Sequence, residues 1–248
     1  MNIGVIGAGK IGSILVKNFT RLGHHVSVAN KQDVNSLRKL CHATGAQAVT
    51  LSEVCQNVEF LFLCVPLVAI PEIARSLKPS LTFSTIVVDT GNYFPPRDGR
   101  IEEIEQGQVE SVWVAQQIDH PVLKAFNSII DYYLENGGLP PDSPDRLSLP
   151  VSGDSAEAKN KLLHLIAALG FDGFDAGSLK ESWRQQMGTP IYCTNLTRSQ
   201  AIQAIKNANR ENSISLREIR TKKLLESSPR TPEEVLKMTR ELQGITNK

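Results

Sequence analysis

The first twelve residues contain a glycine-rich turn of the kind that holds a phosphorylated nucleotide. The apolar run 3–6 predicts a short strand that leads directly into the G-x-G-x-x-G pattern of Gly7, Gly9 and Gly12. Gly7 allows a tight turn, Gly9 lets a diphosphate approach the backbone, and Gly12 lets the next helix pack against the strand. Free N–H groups at the start of that helix favour an anion. The predicted diphosphate-binding residues are Gly7, Ala8, Gly9, Lys10, Ile11 and Gly12.

The residues after this turn supply the context that the pattern needs. Apolar side chains recur at helical spacing from Ile14 to Leu22, Gly23 predicts the end of the helix, and 25–29 predicts a second strand. A lone G-x-G-x-x-G can be only a tight structural turn. Strand, helix and second strand in register together predict dinucleotide binding.

The end of the second predicted strand bears on the choice between NAD and NADP. NAD-binding chains usually carry an acidic residue about 20 residues past the glycines, where it accepts hydrogen bonds from the ribose hydroxyls. Here Asn30 can donate to a 2′-phosphate and Lys31 can neutralise it, so the sequence favours NADPH. The alternative is that Lys31 is a solvated loop charge and that the nearby Asp33 serves NAD.

Strands and helices alternate through the first half of the chain. The predicted strands are 3–6, 25–29, 46–50, 58–65, 85–89 and 122–126, and helices are predicted at 70–77, 101–105 and 112–118. Strands this apolar are typical of a parallel sheet covered by helices on both faces. The expected fold class is α/β, a Rossmann-type doubly wound, mostly parallel sheet with a C-terminal helical extension. Such sheets bind ligands beyond the carboxyl ends of their strands.

Composition and charge favour a cytoplasmic protein with a small-molecule ligand. The 248 residues carry a formal net charge of +1, which gives no reason to expect nucleic acid or an anionic membrane as a partner. The four cysteines are widely spaced and form no metal-binding pattern, so neither a metal site nor a disulfide is expected. No segment has the length of a membrane helix or the layout of a signal peptide.

Several segments near the predicted strand ends are similar to those of a known family. They are G-A-G-K-I-G at 7–12, C-V-P at 64–66, V-V-D-T-G-N-Y-F-P at 87–95, K-A-F-N at 124–127 and Q-M-G-T-P-I-Y at 186–192. Over residues 1–192 the chain resembles the NADPH-dependent reductases of the deazaflavin type. It also resembles the nucleotide-binding domain of STEAP-type metalloreductases.

The resemblance implies direct hydride transfer between the nicotinamide and a flavin or deazaflavin, with the protein positioning the two rings. It implies no acid or base, and no catalytic residue is assigned. The further cofactor-binding residues that it implies are Cys64, Val65, Pro66, Asp89, Gly91, Asn92, Ala125 and Asn127. The acceptor pocket that it implies is lined by Asn92, Asn127, Gly188, Thr189 and Pro190.

Two departures from the family pattern limit how far the family's properties can be assigned to this chain. Many members have Ser-Arg after the second strand, whereas Asn30 and Lys31 keep a cation but lose the planar fork that suits a phosphate. The segment 93–100 resembles a branch that occurs where the deazaflavin is not made. The identity of the hydride acceptor is therefore open.

Three polar residues have competing interpretations. Asp89 could be an acid, but an aspartate that ends a buried strand more often binds backbone N–H groups of the next turn. His120 could donate a proton, but a loop histidine beside a proline is more often a surface residue. Lys124 is the candidate general acid for an imine or hydroxyacid reductase of the wider Rossmann superfamily.

The chain is expected to comprise a nucleotide-binding domain with a small completing substrate-side unit at 1–195 and a helical extension at 196–248. The last predicted helix carries a narrow apolar stripe formed by Val235, Met238, Leu242 and Ile245. Such a stripe either folds back on its own domain or packs against a partner subunit. We favour the second interpretation, which predicts a homodimer.

The sequence as a whole predicts an NADPH-dependent oxidoreductase. Hydride would pass directly between the nicotinamide and a flavin-like, deazaflavin-like or other small conjugated acceptor. The alternatives are an NADPH-binding redox sensor without turnover, and an imine or hydroxyacid reductase.

Overall fold

The computed structural model describes residues 1–32, 34–226 and 230–245. The chain forms two compact units, Met1–Lys124 and Ala125–Lys248. The predicted domain boundary between residues 195 and 196 stays a prediction. Within the described part of the chain, no helix combines the length and apolarity needed to cross a membrane.

The first unit is built on a six-stranded sheet whose strands all pair in parallel. The strands are β1 Asn2–Ile6, β2 His25–Ala29, β3 Gln47–Ala48, β4 Phe60–Leu63, β5 Ile86–Asp89 and β6 Val122–Lys124. Their order across the sheet is β3-β2-β1-β4-β5-β6, which is the doubly wound order of dinucleotide-binding folds. The predicted Rossmann-type α/β fold is confirmed.

The strand register aligns the carboxyl ends of five strands in one row. Ile6 pairs with Ala29 on one side and with Leu63 on the other, and Asp89 pairs with both Leu63 and Lys124. We call this row, from Ala29 to Lys124, the carboxyl edge. Apart from Gly188, Thr189 and Pro190, the residues that the sequence assigns to ligand binding lie at these strand ends or directly after them.

The helices of the first unit pack around this sheet. They are α1 Lys10–Arg21, α2 Arg38–Thr44, α3 Ile70–Leu77, α4 Pro95–Asp98, α5 Glu102–Glu105 and α6 Glu110–Ile118, with 3-10 turns at Val34–Leu37 and Leu67–Ala69. The sequence analysis missed α2. No residue of α2 is buried, so it lacks the apolar face that helical periodicity detects.

The second unit contains a small parallel pair of strands surrounded by helices. Its elements are α7 Asp131–Asn136, β7 Ser148–Val151, α8 Ala156–Ala168, β8 Asp172–Asp175, α9 Arg198–Asn207, α10 Arg210–Leu225 and α11 Pro232–Leu242, with a 3-10 segment at Leu179–Gln185. The Ser155 hydroxyl caps α8 by accepting from the Ala158 N–H, and Thr231 and Glu234 form a capping box on α11.

The C-terminal helices are anchored within this second unit. The Arg240 guanidinium donates to the carbonyl oxygens of Thr194 and Asn195 at 2.9 and 3.0 Å, and the Gln243 amide donates to the Gly188 carbonyl at 2.8 Å. The Arg220 guanidinium lies 4.8 Å from the centre of the Tyr192 ring.

The apolar stripe of α11 also turns inward. Met238 is buried, and Ile245 packs against the core cluster that includes Phe174 and Leu196. The stripe therefore folds back on its own unit, which was the less favoured of the two interpretations of the sequence. It gives no argument for a partner subunit. The homodimer stays a prediction.

Gly188 is a point where α10 allows no side chain. Its φ is +93°, and a Cβ atom there would collide with the Ser213 carbonyl oxygen of α10. We expect Gly188→Ala to lower the free energy of unfolding by about 2–4 kcal/mol, because left-handed strain and steric overlap add. Thermal and denaturant unfolding measure this loss.

Gly107→Ala is the matched control for this substitution. Gly107 has a similar φ of +98°, but nothing lies within 4 Å of the added Cβ. It should cost only the strain of about 1 kcal/mol. Equal losses of unfolding free energy in the two variants would mean that steric overlap with α10 adds nothing at Gly188.

Candidate nucleotide-binding site

The turn after β1 requires glycine at two positions for reasons internal to the protein. Gly7 has a φ of +100°, and its N–H donates to the Ala29 carbonyl at 2.8 Å, which joins the turn to the end of β2. A Cβ atom on Gly7 would collide with the Cys64 carbonyl, and one on Gly12 would collide with the Gly7 carbonyl. These two glycines hold β1, α1 and β4 close together.

Gly9 differs from both of its neighbours in the pattern. Its φ is −72°, which any residue adopts, and no protein atom lies within 4 Å of a Cβ added there. It is the N-cap residue of α1, and no side chain caps the helix. The first turn of α1 contains no acidic residue and begins with Lys10. Open space at Gly9 and the positive end of the α1 helix dipole therefore meet where a diphosphate is expected.

The two residues assigned to a 2′-phosphate both have protein partners. The Asn30 amide nitrogen donates to the Ser36 hydroxyl at 2.8 Å, while its Oδ1 is buried without a hydrogen-bond partner. The Lys31 ammonium lies 2.7 Å from a carboxylate oxygen of Glu72, and both side chains are about half exposed. The alternative NAD ligand, Asp33, lies outside the described residues.

The end of β4 lies against the glycine turn and against the turn after β5. Cys64, Val65 and Pro66 are half-buried, and a Cβ added at Gly7 or Gly91 would lie within 4 Å of Val65. Burial raises the pKa of the Cys64 thiol to about 12. At neutral pH this thiol is protonated and is not a nucleophile. The segment can form an apolar wall.

The turn after β5 is held by a buried ionic cluster. One carboxylate oxygen of Asp89 accepts from the Gly91 N–H at 2.8 Å, and the other accepts from the Ser111 hydroxyl at 2.7 Å and the Lys124 ammonium at 3.0 Å. The ammonium also donates to the Gly91 carbonyl at 2.6 Å and lies 3.8 Å from Glu110. The predicted structural role of Asp89, binding the N–H of the next turn, is confirmed.

This cluster also bears on the candidate acid. The Lys124 side chain has no exposed surface. Its ammonium points into the cluster of Asp89, Glu110 and Gly91 rather than toward solvent at the carboxyl edge. The arrangement suits a positioning residue, which gives no support to an imine or hydroxyacid reductase with Lys124 as its acid.

His120 is tied to the backbone. Its two ring nitrogens lie 2.7 and 3.1 Å from the carbonyl oxygens of Pro121 and Thr82. It is a buried residue rather than the expected surface residue. Across the described residues, no group of three or more His, Cys, Asp or Glu side chains could hold a metal ion.

Apart from Asn92, which follows β5 in the first unit, the remaining predicted residues belong to the second unit. The Asn127 amide donates to the Gln185 carbonyl at 2.7 Å and accepts from the Gln185 amide at 2.9 Å, and Gln185 also accepts from the Ser152 hydroxyl at 2.8 Å. Ala125 and Thr189 are fully buried, and the Thr189 hydroxyl donates to the Gln186 carbonyl at 2.7 Å. The pocket roles of Asn92, Asn127, Gly188, Thr189 and Pro190 stay predictions.

Sequence reasoning missed three of these polar partners. Gln185 directly precedes the Q-M-G-T-P-I-Y segment at 186–192, and Ser111 and Glu110 open α6. Gln185 contacts Asn127, Ser111 contacts Asp89 and Glu110 contacts Lys124 only after folding, so their roles depend on long-range contacts that periodicity does not report.

Comparison with known protein families gives a match within the first unit. Residues 2–93 match the family described as NADP oxidoreductase coenzyme F420-dependent. The resemblance to the NADPH-dependent reductases of the deazaflavin type is therefore confirmed for this part of the chain. The match ends after the turn that follows β5.

Two solved structures are similar to this chain over more of its length than the family match covers. The hypothetical protein SMa0349 of Sinorhizobium meliloti has 29% identity and a TM-score of 0.68, over 80% of this chain and 96% of that one. A provisionally assigned F420-dependent NADP reductase of Arthrobacter sp. FB24 has 19% identity and a TM-score of 0.59, over 73% of this chain and 87% of that one, which shows a shared fold. The Escherichia coli K12 protein YjhV is 42% identical over 60 residues, so the match spans only 24% of this chain and 44% of that protein.

The geometry at Gly9 allows a test that separates folding from binding. We expect Gly9→Val to leave the protein folded and to abolish nucleotide binding. An added Cβ meets no protein atom within 4 Å beyond its chain neighbours, whereas the valine side chain would occupy the place of the diphosphate. Calorimetry with NADPH measures the binding, and thermal unfolding checks the fold. Unchanged NADPH affinity in folded Gly9→Val protein would remove the diphosphate from this turn.

The buried cluster predicts a large loss of stability on removal of its cation. Lys124→Met leaves Asp89 buried without its ammonium partner and should cost about 3–5 kcal/mol in denaturant unfolding. Lys159→Met is the control, since the partner of Lys159 at 2.7 Å, Asp175, is 54% exposed and can be solvated. That variant should lose about 1 kcal/mol. Similar losses in the two variants would show that the Lys124 cluster has no special weight.

Proposed function

We propose that this protein is an NADPH-dependent oxidoreductase that transfers hydride directly between the nicotinamide and a small conjugated acceptor of the flavin or deazaflavin kind. The space at Gly9 carries the proposal. Gly9 is the N-cap of α1, beyond β1 in a sheet of dinucleotide-binding order, and a Cβ added there meets no atom within 4 Å beyond its chain neighbours. The match of residues 2–93 to an NADP oxidoreductase family supports the same activity.

The residues along the carboxyl edge fit an extended dinucleotide. Gly7 to Gly12 would hold the diphosphate through backbone N–H groups, and Asn30 with Lys31 would lie beside the adenosine ribose. Val65, Pro66, Gly91 and Asn92 would border the nicotinamide, because they follow the ends of β4 and β5. When bound, NADPH supplies the hydride.

The protein's part in this reaction is to position the rings. Hydride transfer between two conjugated rings needs no side-chain acid. The titratable groups along the carboxyl edge have structural roles instead. The Cys64 thiol is protonated, and the Asp89 carboxylate and Lys124 ammonium bind each other and Gly91. These contacts hold the backbone of the turn beside which the nicotinamide would lie.

NADPH is proposed over NADH because of the cation at the end of β2. Lys31 is half exposed, so its ammonium is accessible to a 2′-phosphate. We further propose that Ala125 contributes to cofactor binding, that Asn127 and the segment 188–190 border the acceptor, and that the protein is a cytoplasmic homodimer.

A turnover assay distinguishes the enzyme from the alternative, a redox sensor. Purified protein is mixed with NADPH and, separately, with a deazaflavin, FMN, FAD and ferric chelates, while NADPH absorbance is followed. We expect multiple turnovers with at least one conjugated acceptor in the wild type and none in Gly9→Val. Tight binding of NADPH without oxidation in every mixture supports the sensor. Absence of binding contradicts both proposals.

A further inference from the structure

The ion pair of Lys31 and Glu72 joins elements on opposite sides of β1. Lys31 follows the end of β2, and Glu72 lies in the first turn of α3, which follows β4. In the sheet β2 and β4 are the two neighbours of β1. Because their ends align at Ala29, Ile6 and Leu63, the pair lies across the part of the carboxyl edge where β1 enters the glycine turn.

This contact is close enough to be specific and exposed enough to be exchanged. The ammonium and carboxylate are 2.7 Å apart, with 53% and 56% of the two side chains exposed. The hydrogen bond and charge of Lys31 lower the pKa of the Glu72 carboxyl, so Glu72 is ionised at neutral pH. Pairs this exposed are weak, and a more highly charged anion can displace the carboxylate.

We propose that Glu72 is a specificity-determining residue that competes with the 2′-phosphate of the nucleotide for Lys31. The inference rests on the proposed function, which places the adenosine ribose beside Asn30 and Lys31. A phosphate monoester and a carboxylate seek the same donor, since both accept charge-assisted hydrogen bonds from an ammonium. Glu72 therefore weakens the preference for NADP over NAD.

The competition acts on one nucleotide more than on the other. When NADP binds, Lys31 turns to the phosphate, and Glu72 loses its partner while a second anion comes close. NAD has a ribose hydroxyl at that position and leaves the Lys31–Glu72 pair in place. Arg75, the other cation that lowers the pKa of Glu72, lies on the same helix and is unchanged by a substitution at Glu72.

The test compares dissociation constants for NADP⁺ and NAD⁺ by calorimetry at low ionic strength. In Glu72→Gln we expect the constant for NADP⁺ to fall about two- to fivefold, the range of an exposed ion pair, with NAD⁺ changed less than twofold. In a Lys31→Gln background the ion pair is absent. The extra effect of Glu72→Gln on the dissociation constant for NADP⁺, relative to that for NAD⁺, should then be lost. Glu102→Gln is the control for net charge, since Glu102 is also a half-exposed carboxylate at a helix start, paired with Arg100.

Each outcome assigns a different failure. Equal effects of Glu72→Gln on both nucleotides, or effects equal to those of Glu102→Gln, overturn the inference and leave the proposed function intact. Persistence of the full NADP⁺ effect without Lys31 also overturns it. A wild-type protein that binds neither nucleotide contradicts the proposed function and the inference with it.

Discussion

The site in the first unit depends on one buried cation. The Lys124 ammonium, at the end of β6, is held by the Asp89 carboxylate and the Gly91 carbonyl, and Asp89 in turn binds the Gly91 N–H. Taking an ammonium and a carboxylate out of water costs several kcal/mol for each ion, so such a pair persists only where its hydrogen bonds are well made. Here they fix both polar groups of Gly91. The turn that carries Asn92 is thereby held to two strands at once, which is what the proposed transfer of hydride between two positioned rings requires.

Local patterns predicted most of the fold, and long-range contacts account for what they missed. The strands of the first unit were recognisable because their apolar runs are short and bounded by turn residues, and α3 was predicted with its observed limits, Ile70–Leu77. The sixth strand was predicted to reach residue 126 but ends at Lys124, because Phe126 has a φ of +61° that lies outside the extended region. The helix α2 escaped detection since none of its residues is buried.

The candidate site shows the same division. The glycine turn was predictable because its pattern encodes a backbone geometry. The structure adds that a side chain at Gly7 or Gly12 would collide with the protein backbone, whereas a Cβ at Gly9 would enter open space. Partners were not predictable. Lys31 meets Glu72 and Asn127 meets Gln185 across long stretches of sequence, and only the strand order and the path of the second unit bring each pair together.

The anchoring of the C-terminal helices has a consequence for the order in which the chain matures during synthesis. Every strand of the six-stranded sheet, and both members of the Asp89–Lys124 pair, have been translated once residue 124 emerges, so the first unit has all its partners early. The segment that contains Gly188 and Thr194 receives its hydrogen bonds from Gln243 and Arg240, which are made about fifty residues later at a translation rate of about 5–20 residues per second. For those seconds the segment that contains Gly188 and Thr194 lacks these hydrogen bonds, whereas every strand of the six-stranded sheet has already been made.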